Sequence, residues 1–391
     1  MPMDSYTGTD WVPEFHPPTA AVTGAAVAVR SRYEQVPKSP VDLRLEFRGS
    51  AREYFRIWIV NLCLTLLTCG IFSAWAKVRK KRYMYSHTLL DGTPFQYLGK
   101  PIPILKGRLI AAAGFLIYYA ATHFFTSLLP YVIAAGAIAA PWVIVRSAAF
   151  NARYSAFRNI TFHFHASYKD AFNVLYAWGI IPALIIPMVF SWRGKEVVLG
   201  IVSLVFAVLF PWWMKRFKKF IIERTSYGGK TGTFSATGWQ FCKIYLLSGL
   251  IVLAVSVPMG ALAGLVFYTK ITTAPLVFLL PVYTGYVLSF AYVKARIGNL
   301  VWNSTAVGPI RLRSTLRWGG LLKLYVTNAL GIIVSLGLLI PWAVLRTVQY
   351  RADHMYVSRE GELSEFEGSG QGAVTAVGEG MADIFEVDLS I

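Results

Sequence analysis

Ser73-Ala74-Trp75-Ala76-Lys77-Val78-Arg79-Lys80-Lys81-Arg82-Tyr83 ends the first long apolar stretch of the 391-residue chain, and four further stretches end in a similar way. The five pairs are Trp75/Arg79, Trp142/Arg146, Trp212/Arg216, Phe290/Lys294 and Trp342/Arg346. Pro141, Pro211 and Pro341 each precede a Trp, whereas the fourth pair is degenerate. An aromatic ring with a cation one helical turn beyond it is what an apolar span needs where it leaves hydrocarbon for the headgroups. The signature therefore describes a repeated membrane exit, with the four Trp as interfacial anchors and the five cations as candidate contacts to lipid headgroups.

Composition points the same way. Apolar residues make up 55% of the chain and charged residues 15%, with a mean hydropathy of +0.49, outside the range of ordinary soluble domains. Eight stretches are long enough to cross ~30 Å of hydrocarbon at ~1.5 Å per residue. They run over 54–74, 107–125, 129–150, 171–190, 197–213, 242–267, 275–292 and 321–345. The expected fold class is thus an all-α polytopic membrane protein of about eight transmembrane helices in internal repeats.

The net charge of +18 invites a nucleic-acid reading, but its distribution argues for lipid. Between Tyr54 and Leu345 only Asp91, Asp170, Glu196 and Glu223 are acidic, and the basic residues crowd the loops of one face. The other face holds Arg193, Lys195 and Lys270. That asymmetry assigns the basic loops to the cytoplasm. Runs such as Lys77 to Arg82 would also attract anionic headgroups by about 1 kcal/mol per cation. If the first and last stretches each cross once, both termini emerge opposite the basic loops. Arg44, Arg48, Arg52 and Arg56 fit that placement poorly, since they match segments assigned to the cytoplasm.

Repetition organises the chain. Overlaid without a gap at an offset of 267 residues, Arg56 falls on Lys323, Asn61 on Asn328, Thr68 on Ser335, Gly70 on Gly337, Trp75 on Trp342, Arg79 on Arg346, Tyr83 on Tyr350 and His87 on His354. The two ends read as copies of one unit. Five related units are expected over 41–93, 94–158, 159–229, 230–304 and 305–367, between a disordered arm, 1–40, and a flexible acidic tail, 368–391. Short polar segments on the basic face carry β-hairpin character. The clearest runs from Met84 to Gly99 about Asp91-Gly92, and its C-terminal counterpart from His354 to Glu367 about Glu360-Gly361. Because isolated hairpins are marginal in water, these are expected to pair in a layer under the helices. No signal peptide is read at the N-terminus.

The residues from Phe55 to Gly107 include Asn61, Thr68-Cys69-Gly70-Ile71, Ala74-Trp75-Ala76-Lys77-Val78-Arg79, Leu90-Asp91-Gly92 and Leu105-Lys106-Gly107. This stretch resembles the YjgN family of bacterial inner-membrane proteins, and the resemblance extends over the membrane region in length and number of spans. It implies a multi-pass inner-membrane location and no known activity. The frequent proximity of the family's genes to one for a membrane-associated zinc metallopeptidase implies a membrane-protein partner.

A search for chemistry returns little. His163 and His165 would share one face of a strand, but no third ligand is adjacent and no metal site is assigned. His87 and His354 occupy equivalent places and read as structural. Cys63, Cys69 and Cys242 form no CxxC pair, and Gly260/Gly264 make a small-residue face suited to helix packing. No catalytic motif occurs, so no catalytic residues and no cofactor are expected. Asn61 and Asn328 stand within apolar stretches, where an amide must find a partner, and are expected to make equivalent contacts. Two functions remain open: binding or moving anionic lipid or a small solute, and scaffolding another membrane protein such as a peptidase.

Overall fold

Four two-residue turns set the architecture. Asp91-Gly92, Arg158-Asn159 and Gly228-Gly229 have both residues in the left-handed region, and Gly308-Pro309 has the first. These are the type I′ and II′ geometries that match strand twist and so close tight hairpins. They join β2 (Thr88–Leu90) to β3 (Thr93–Tyr97), β4 (Ser155–Phe157) to β5 (Ile160–Phe164), β6 (Thr225–Tyr227) to β7 (Lys230–Phe234), and β8 (Thr305–Val307) to β9 (Ile310–Ser314). In this computed structural model, which describes residues 41–176, 195–268 and 276–359, each hairpin also pairs with its neighbours. The ring is completed by β1 (Val41–Phe47) and β10 (Met355–Arg359), which lie antiparallel with Leu43 opposite Val357.

The result is a closed ten-stranded antiparallel barrel, which corrects the all-α expectation. Strands of three to seven residues are too short to register against long apolar helices, and most of the ladder is non-local. The expected turn at Glu360-Gly361 and the strand after it lie outside the described residues; within them β10 has β9 on one edge and β1 on the other. Cα-paired residues of a ladder share a face. Leu45 pairs with Leu90, Phe95 with Phe157, Phe162 with Tyr227, Gly232 with Val307, and Leu312 with Val357. Leu45, Leu90, Phe157, Tyr227, Ile310 and Val357 form one buried cluster, and only the barrel interior can unite strands from around the whole ring. Arg44, Glu46, Gln96, Thr233, Arg311 and Arg313 alternate with them and face water. The lumen is a packed core, not a channel.

Burial pushes the Tyr227 phenol above its ordinary value, Arg158 pulling the other way, and its hydroxyl donates to the Phe157 carbonyl at 3.1 Å. Gly232 is required on the inner wall because any side chain there would collide with the Ile222 carbonyl.

Because every tight turn lies at one end of the barrel, the helices leave from the other. They are α1 (Ala51–Leu67), α2 (Ser73–Ser86), α3 (Pro101–His123), α4 (Leu129–Arg153), α5 (Tyr168–Tyr176), α6 (Lys195–Glu223), α7 (Gly238–Tyr268), α8 (Leu276–Asn303), α9 (Trp318–Val334) and α10 (Ile340–Asp353). Among the described residues, two α-helices lie between each pair of consecutive hairpins. Each helix packs against the next, and α10 packs on α1, so the helices form a ring above the barrel.

Among the described residues four helices are long and apolar enough to cross a membrane, Pro101–His123, Thr126–Arg153, Glu196–Glu223 and Gly238–Leu262, fewer than the eight expected. The first and last expected spans are broken. Cys69 and Gly70 have φ of 48° and 90°, and Leu336 and Gly337 have 49° and 92°, which turns each stretch back on itself. The Thr68 hydroxyl accepts from the Phe72 amide at 2.9 Å, and the Ser335 hydroxyl from Leu339 at 3.0 Å, tightening both reversals. Consequently Val41 and Arg359 stand together on the barrel, on the side of the basic helix exits, not opposite it. This removes the difficulty posed by Arg44, Arg48, Arg52 and Arg56. Among the described residues nothing approaches Gly260 or Gly264 closely, whereas Gly285 packs tightly against Val252 and Ser256. The expected arm, 1–40, the tail, 368–391, and the part of the fourth stretch beyond Tyr176 lie outside the described residues.

Candidate functional site

Counting back from the strand each helix enters aligns the five exits. Nine residues before β2, β4, β6, β8 and β10 stand Arg79, Arg146, Arg216, Arg296 and Arg346, and four residues earlier Trp75, Trp142, Trp212, Tyr292 and Trp342. The fourth exit is therefore Tyr292/Arg296, not degenerate, and Lys294 lies two residues out of phase. The Arg296 guanidinium lies over the Tyr292 ring at 5.8 Å, while Lys294 sits over Phe290 at 5.4 Å. The signal that would have found Arg296 is its distance from the Thr305 strand; aromatic spacing alone favoured Phe290.

The five arginines have different surroundings. Arg346 donates to Thr327 Oγ1 at 2.7 Å and Asn328 Oδ1 at 3.3 Å, and lies 5.0 Å from the centre of the Trp342 ring. Asn328 is buried, and its Nδ2 donates to the Ala343 carbonyl and the Thr347 hydroxyl. At the other end of the sequence, Arg79 donates to the buried Asn61 Oδ1 at 3.3 Å. Thus the structure brings Asn61 to Arg79 and Asn328 to Arg346, joining residues singled out separately. Arg146 lies over Tyr168 at 5.9 Å with its buried Nε unpartnered. Trp142 and Arg216 are half-buried, and Trp212 lies against Gly238 at the start of α7, where any side chain would strike the indole.

One of these exits opens into a groove. An open depression of about 590 Å³ lies between α1, α2 and β3, with Arg79 and Arg82 on one wall and Ile57, Phe95 and Tyr97 among the apolar lining. Arg79 is exposed, and Arg82 also donates to the Gly99 carbonyl at 3.3 Å. Two guanidinium groups beside aromatic and aliphatic walls suit an amphiphile with an anionic head, since guanidinium presents a planar fork of donors to phosphate or carboxylate oxygens.

The histidines serve the frame. His87 and His354 hold the carbonyls of Tyr83 and Tyr350, each Nδ1 at 2.8 Å, and so close the ends of α2 and α10. His163 and His165 stack at 6.1 Å, and His165 Nε2 pairs with Ser226 Oγ at 3.1 Å. Among the described residues no group of three or more His, Cys, Asp or Glu is placed to hold a metal ion.

A ring of apolar helices with basic, aromatic exits on a packed barrel defines a polytopic membrane protein. The chain belongs to the family described as "Bacterial protein of unknown function (DUF898)", whose family model matches residues 42–384. It is 25% identical over 362 residues to the inner membrane protein YjgN of Salmonella typhimurium, covering 83% of this chain and 90% of that one. The inner membrane protein YjgN of Escherichia coli K12 is 24% identical over 358 residues, covering 80% and 87%. The chain is a bacterial inner-membrane protein. No solved structure matches it.

Proposed function

We propose that this inner-membrane protein is built of five related strand-helix-helix-strand units and binds anionic lipid, or a small anionic solute, at the basic junction between helices and barrel. The observation that carries the reading is the recurrence of an arginine nine residues before five strands, with an aromatic ring one turn above it. A residue that served only to set helix depth would not need to be arginine in every copy, since lysine snorkels as well. The groove at Arg79 and Arg82 supports headgroup capture in particular. In this reading the barrel stands in the cytoplasm, as the charge asymmetry requires, and no enzymatic step is involved.

The test is native mass spectrometry of the detergent-solubilised protein, comparing lipids retained by the wild type and by Arg79→Gln, Arg146→Gln, Arg216→Gln at matched expression. Loss of a defined anionic lipid from the variant supports the proposal. Equal retention overturns it and leaves scaffolding of another membrane protein as the reading to pursue, by cross-linking in cells.

A further inference from the structure

The aligned arginines supply a common zero of depth. Counting from them toward the membrane, α4 rises 17 residues to Leu129, ~26 Å, while α6 and α8 rise about 20, ~30 Å, the thickness of the hydrocarbon. By the same count, α2 rises six residues from Arg79 to Ser73, and α10 six from Arg346 to Ile340, ~9 Å in each case. The partner arms agree, because Asn61, level with Arg79, is six residues below the end of α1, and Asn328 is six below the end of α9. The helical hairpins α1–α2 and α9–α10 therefore reach about one third of the depth spanned by their neighbours.

The two short hairpins are also side by side: β1 pairs with β10, and α10 packs on α1. Their tips are apolar and bare, with Leu67 79%, Val334 84% and Leu336 95% exposed. On the adjoining long helix α3, every residue from Ala112 to Tyr119 is exposed, more than two turns with no face covered by protein. A tip this apolar is stable only in hydrocarbon, yet it is too short to reach the far leaflet.

We infer that the paired hairpins α1–α2 and α9–α10 form a one-leaflet wedge whose tips contact acyl chains of the leaflet on the barrel side, with lipid from the far leaflet occupying the space above them. The sector is then a lateral gap in the helix ring through which acyl chains reach α3. The inference uses the arginines only as depth markers and does not require them to bind a headgroup, so the two proposals fail separately.

The chain carries its own reporter, because Cys69 is exposed at the first tip. With Cys63 and Cys242 replaced by Ser, a nitroxide on Cys69 in phosphatidylcholine vesicles reports depth through its collisions with oxygen and with a water-soluble nickel chelate. Leu336→Cys in a chain with all three cysteines replaced reports the second tip, and Thr126→Cys, between α3 and α4, marks the far interface. The expected result is high oxygen and low nickel collision at both tips, at matching depths on the barrel side of the bilayer centre, with Thr126→Cys in far-side water. Reaction of Cys69 with an impermeant maleimide applied from the far side would show a full crossing and overturn the inference. Low collision with both agents would mean that protein, such as a second copy, covers the tips, and would overturn it equally.

Discussion

At residue scale, the two buried amides differ in a way that predicts different costs. Asn328 satisfies three partners, Arg346, the Ala343 carbonyl and Thr347, whereas Asn61 has the single contact with Arg79. Asn328→Ala strips these at once and is expected to destabilise by about 1–3 kcal/mol, with Asn61→Ala at the low end of that range. Thermal unfolding in detergent, followed by intrinsic fluorescence, checks the order. Gly232→Val is expected to prevent normal closure, since the new side chain meets the Ile222 carbonyl in a wall that cannot move outward without breaking the ladder. Loss of folded protein on gel filtration is the expected pattern, with Gly229→Ala still folding at a cost of about 1–2 kcal/mol, since Gly229 has open space beside it and only its φ of 77° strains a side chain.

At the scale of elements, the two helical reversals depend on glycine at positive φ. Gly70→Ala and Gly337→Ala are each expected to cost about 1–2 kcal/mol, because an L residue resists that region while the space around the first is otherwise empty. A hydropathy window averages over those two residues, so each stretch reads as one span although its backbone turns around inside it. The hairpins were legible for the opposite reason: Asp91-Gly92 is a local signal between short β-prone runs, and the turn forms where it was expected. The strand β1 was not legible as part of the sheet. Its alternation from Asp42 to Phe47 is clear in retrospect, but one half pairs with Thr88 to Leu90 and the other with the distant Tyr356 to Arg359, and no local pattern announces either. The aromatic and arginine exits lay between these cases. Four of the five arginines could be picked by spacing from Trp, while Arg296 needed the strand as reference.

For the whole molecule, the closure between β1 and β10 can be tested directly. Asp42 and Ser358 are paired on the outer wall, so Asp42→Cys with Ser358→Cys, in a chain lacking its three native cysteines, is expected to form an intramolecular disulfide under mild oxidation. Faster migration on non-reducing gels is the readout, and its absence would contradict the closed ring. The long-range pairing also sets an order of events during synthesis. β1 must wait for β10, made about 310 residues later, which at ~5–20 residues per second is ~15–60 s on the ribosome. Through that interval β1 has no strand on the edge that β10 will cover, and the barrel cannot become a sealed core until β10 has been made. Closure of the barrel is therefore a late event built into the fold: a product that stops before Met355 lacks the closing strand and keeps the edges of β1 and β9 open.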